Sequence, residues 1–154
     1  GASLLALSLW LVKQDIARRT VRSKGLTRFI AVCLLSGYVW LAVGAGVLLW
    51  AGSLVPGSAS YDAGVHAIML GFVFSMVFGH APIIFPAVLR VQVPYHAWFY
   101  GPLALLQVSV LARLVGDASG EFALTRWGGA LNAAALLSFI LSTMAAVLLG
   151  NRRS

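Results

Sequence analysis

The sequence predicts an all-α integral membrane protein: a helical bundle of four transmembrane helices, with the end of an earlier span at its N-terminus. Of 154 residues only 10% are charged, 11 Lys or Arg against 4 Asp or Glu, where a soluble domain carries about 25%. Mean hydropathy is +0.93. The charges are also unevenly placed, because residues 29–61, 63–89, 91–112 and 127–151 contain no Asp, Glu, Lys or Arg, and a bilayer crossing needs about 20 apolar residues. These features exclude a water-soluble enzyme, a disordered tail and a nucleic-acid binder, and make 1–154 a single membrane domain embedded in a lipid bilayer.

Residues 1–12, GASLLALSLWLV, are apolar but too few to span at about 1.5 Å per residue. They read as the end of an earlier span in a longer chain, or as a processed terminus. A basic run follows, with Lys13, Arg18, Arg19, Arg22, Lys24 and Arg28. Span one covers about 29–52 and ends near Trp50, an amphipathic ring suited to an interface. Ser53 to Tyr61, with Pro56 and Gly57, is a turn. Span two covers 63–89, and the connection RVQVPY places Pro94 to open span three, 95–115. A polar loop, GDASGEFALTR, leads to span four, 127–150. With Arg90, Arg152 and Arg153, nine basic residues fall on one side of this threading, and only Arg113 and Arg126 on the other. Segment 13–28 and the C-terminus are therefore expected in the cytoplasm.

Small residues recur at spacings that read as packing faces: Gly71, Ser75 and Gly79 in span two, and Ala134, Ser138, Ser142, Ala146 and Gly150 in span four. Gln107 is a mid-span polar group suited to bonding across helices. Pro82 and Pro86 are expected to kink span two. Arg113 and Asp117, four residues apart, form a surface ion pair in this reading. Cys33 stands alone within an apolar span, which makes packing its role, as for Met69, Met76 and Met144.

The candidate functional residues are histidines, since an ionisable group inside a membrane is costly. His66 and His80 share span two, 14 residues apart. In a regular α-helix they stand about 40° apart around the axis and about 21 Å apart along it. Each could give an axial nitrogen to haem iron or another metal, with Leu70, Val73, Val77 and Ile84 as an apolar wall between them. Asn132 is expected to orient the second ring nitrogen of His66, and Ser36 and Tyr38 lie at the depth of His80. His96 is assigned to the interface.

The run HAIMLGFVFSMVFGHAPIIFP, residues 66–86, resembles a haem-bearing helix of the haem-copper oxidase and nitric oxide reductase large subunits, and of the related membrane NnrS proteins. The matching positions are His66, Leu70, Gly71, Phe72, Phe78, Gly79 and Pro86. The resemblance implies haem b as cofactor, His66 as the better ligand, and a respiratory electron-transfer or nitric-oxide-related role in a bacterial cytoplasmic membrane. The chain departs from that pattern in having three histidines and no cluster around a copper ion. Oxidase or reductase chemistry would need another chain, and a bis-His haem site would need other membrane subunits or a homodimer. No nucleophile with a base, no phosphate-binding loop and no intramembrane carboxylate pair supports a catalytic assignment. The alternative expectation is a non-catalytic structural subunit of a larger membrane complex.

Overall fold

A computed structural model describes residues 1–52, 55–90 and 94–151, and every regular element in it is helical. Lipid leaves backbone N–H and C=O groups no other partner, so apolar runs of this length close their own bonds as helices. α1 is Ala2–Gln14, α2 is Ala17–Thr20 and α3 is Gly25–Ala51. The second span is continuous but of mixed pitch. It comprises α4 (Ala59–His66), a π-helical segment (Ala67–Phe74) and α5 (Ser75–Leu89). A 3-10 turn, Ala97–Phe99, leads into α6 (Tyr100–Ser119), and α7 is Phe122–Asn151. Four stretches are long and apolar enough to cross a membrane: Gly25–Ala51, Ala59–Val88, Ala97–Ser119 and Phe122–Gly150. The protein is an integral membrane helical bundle.

The helices outrun the expected spans, because charge-free length measures the lipid-buried part and a helix continues into polar residues beyond it. The loop expected over 116–126 is nearly absent. Gly120 adopts φ 72°, the left-handed conformation that ends a helix without Cβ strain. The Glu121 N–H bonds the Gly116 carbonyl at 3.0 Å, and α7 begins at Phe122. α6 and α7 thus form a tight antiparallel hairpin. Span three starts later than expected, at Ala97, because Pro94 to His96 remain outside the helix. The helix α5 runs through Pro82 and Pro86. Ser53, Val91 to Val93, Arg152 and Arg153, which entered the turn, connection and charge arguments, lie outside the described residues.

The expected row on span two is a close contact. A Cβ on Gly71 would lie 2.4 Å from Trp40 Cγ, and one on Gly79 would lie 2.9 Å from Cys33 Cβ, while Ser75 between them is buried. Only glycine lets α3 come so near. The row on span four is shifted. Of its five members Ala134 is exposed, Ser138 and Ser142 are half-buried, and Ala146 and Gly150 are buried, while the buried face follows Asn132, Ala135, Phe139, Thr143 and Ala146. Spacings alternating between three and four track a helix face, whereas strict fours drift around it. The core is aromatic: Phe78 stacks on Phe139 at 3.9 Å, and Phe29 meets Tyr100 edge-on at 5.2 Å. α1 runs antiparallel along α3, with Gly1 against Leu49 and Asp15 bonded to Tyr38.

Candidate functional site

The second span carries the candidate residues in two unlike settings. At its N-terminal end Ser58 caps α4, accepting the Tyr61 N–H at 3.2 Å. One turn on, His66 Nδ1 donates to the Asp62 carbonyl at 2.7 Å and lies 3.4 Å from its Oδ1. Asp62 Oδ2 accepts from Arg113 Nε at 2.9 Å and lies 2.9 Å from its Nη2. Arg113 therefore pairs across helices with Asp62, and the expected bond to Asp117 on its own helix is replaced. Thr125 of α7 donates to Asp117 Oδ1 at 3.1 Å, so α4, α6 and α7 are linked at one level. The spacing of Asp62 and His66 was visible in sequence as an i,i+4 pair; the partner on α6 was not.

Below His66 the chain enters the π segment, a rare pitch that concentrates at functional sites. Its i→i+5 bonding holds the helix back by about one residue, on the order of 100° of rotation. The common face expected for His66 and His80 is thereby lost. His66 stays half-buried beside Asp62 and Arg113, whereas His80 is exposed. His80 Nδ1 donates to the Met76 carbonyl at 2.7 Å. A carbonyl acceptor requires the proton on Nδ1, which leaves Nε2 as the lone-pair atom in both rings. Around His80 lies an open recess of about 290 Å³ walled by Met76, Val77, Ala81, Ile84 and Phe85.

The expected neighbours of the histidines are engaged elsewhere. Asn132 Oδ1 accepts from Ser109 of α6, Ser36 donates to the Cys33 carbonyl at 2.9 Å, and Tyr38 donates to Asp15 Oδ2. Gln107 does bridge helices as expected, accepting from Trp40 Nε1 and donating to Ser75 Oγ at 3.0 Å. Trp40 is the member that sequence reasoning missed, since its ring reads as packing. His96 is half-buried and stacked on Trp98 at 4.2 Å, and its Nε2 has no partner among the described residues.

Among the described residues no three His, Cys, Asp or Glu side chains gather as a metal-binding group. The residues do fit one demand of haem, a single nitrogen beside flat apolar surface, and His80 with its recess meets it. They would supply one wall and one ligand. A family model described as a domain of unknown function, DUF8744, matches residues 1–148. No curated protein and no solved structure matches the chain.

Proposed function

We propose that this chain, which belongs to the DUF8744 family, binds b-type haem within the membrane and serves a respiratory electron-transfer or nitric-oxide-related role. One observation carries the reading. His80 is held by the Met76 carbonyl so that its Nε2 is the free nitrogen, on an exposed apolar recess of a spanning helix. A hydrogen bond on the far nitrogen fixes the ring and raises its basicity as a ligand. The exposure of His80 reverses the order that the resemblance implies, and makes His66 the second candidate. Haem supplies one-electron chemistry when bound; the chain contributes the nitrogen, its orientation and the apolar wall. The opposite wall and second ligand would come from a second copy or another subunit. In this reading segment 13–28 and residues 152–154 face the cytoplasm of a bacterial cell.

The test is an optical spectrum of the protein purified after haem-replete expression, oxidised and reduced. A Soret band lost in His80→Ala and retained in His96→Ala is the expected result. A band unchanged by His80→Ala and by His66→Ala would overturn the assignment. For orientation, cysteine at Ala59 should react with an impermeant reagent from outside, and cysteine at Ser23 should not.

A second reading is a non-catalytic subunit of a larger membrane complex. It is favoured by the bonds Trp40–Gln107–Ser75 and Asp62–Arg113, which join helices and use polar groups as structural ties. A colourless sample would support it.

A further inference from the structure

We infer that the turn between α1 and α2 is a binding pocket for the phosphodiester headgroup of an anionic glycerophospholipid. The recess has a volume of about 650 Å³, and Lys13, Arg18, Arg19 and Arg22 line it with Asp15 and Ile16. The four cations are exposed, and no carboxylate among the described residues lies within ion-pairing distance of them. Asp15, the one acid in the wall, is committed internally. Its Oδ1 accepts the Ala17 N–H at 2.8 Å and its Oδ2 accepts from Tyr38. The pocket therefore presents an excess of donors and positive charge, and arginine forks match phosphate oxygens.

Position points to a lipid as the source of the phosphate. Asp15 meets the hydroxyl of Tyr38, a long side chain that reaches back toward the N-terminal end of α3, so the turn is tied to the first part of that helix. The cations thus lie alongside a spanning helix, where uncompensated charge is costly and an anion is drawn in. Apolar surface leads away from them. Ile16 is 69% exposed in the pocket wall, Trp10 is 57% exposed one turn before Lys13, and Leu7 is 44% exposed one turn further. That stripe runs from the headgroup recess along α1, as an acyl chain would. A free phosphate would leave it without purpose.

The full chain, purified and supplied with phosphatidylglycerol and phosphatidylcholine in equal amounts, should retain phosphatidylglycerol selectively by native mass spectrometry. The variant R18Q/R19Q/R22Q should lower that affinity by roughly a hundredfold. K24Q/R28Q/R126Q removes the same charge outside the pocket and should leave the affinity unchanged. If the first variant loses helicity by circular dichroism, Arg19→Glu decides at a single exposed position, a fall in affinity supporting the pocket and none overturning it. Equal losses from both triple variants would reduce the effect to diffuse attraction and overturn the site. Displacement of the lipid by millimolar inorganic phosphate would overturn the lipid assignment, and equal retention of both lipids would overturn headgroup recognition. None of these readouts depends on haem.

Discussion

The N-terminal and C-terminal halves of the second span begin from the same local chemistry and end in different places. In both, a histidine ring is tied at 2.7 Å to the carbonyl four residues back. Around His66, Asp62 of the same helix meets Arg113 of α6, and α6 and α7 add the bonded pair Asp117 and Thr125. Among the described residues the recess at His80 has no polar wall, and the ring stands exposed over it. The difference lies in the rotation imposed by the π segment and in which helices lie alongside. The N-terminal half reads as a clamp and the C-terminal half as an exposed apolar face.

The sharpest way to break this comparison is at Gly71, where the π segment meets Trp40. Gly71→Leu should cost about 3 kcal/mol or prevent accumulation, because the atoms it strikes are Trp40 Cβ and Cγ, which cannot swing aside. Normal thermal unfolding of that variant in detergent would show the contact to be slack. The clamp itself is tested by Asp62→Ala, which strands the half-buried Arg113. Full burial would make such a loss several kcal/mol, but partial solvent exposure reduces the expected destabilisation to about 1 to 3 kcal/mol.

Gln107→Leu removes the bridge between Trp40 and Ser75 at the boundary between the halves. It should destabilise by about 1 kcal/mol, the ordinary size of an interhelical hydrogen bond in a membrane. A variant as stable as the parent would mean that both partners find others. The smallest effect is expected at His80→Ala, within about 0.5 kcal/mol of the parent, as for an exposed residue away from a packed contact. A large loss of stability there would make His80 a structural residue and erase the contrast with His66.

Much of the architecture was legible because it depends on local composition. Four charge-free runs mean four crossings whatever the helices touch, and the Gly71, Ser75 and Gly79 row was readable because small residues at one spacing serve one purpose. Gln107 was legible for a related reason: an amide in lipid must find a partner, even when the sequence does not name it. The row of span four was legible only in part: Ala146 and Gly150 are buried but Ala134 is exposed, since a strict spacing of four drifts around a helix.

Sequence by itself determined the number and approximate extent of the spans, the basic cluster before the first of them, and the histidines as the ionisable groups of the second. Each follows from transfer free energies that add along the chain. Tertiary structure decided the rest. It paired Arg113 with Asp62 across 51 positions of sequence and left Asp117 to Thr125. It folded Asp15 back onto Tyr38, so that the basic run lies beside α3. By the π segment it turned His80 away from His66. These outcomes depend on which helices come within a few ångströms and at what rotation, quantities set by packing between distant segments and carried by no single stretch of residues.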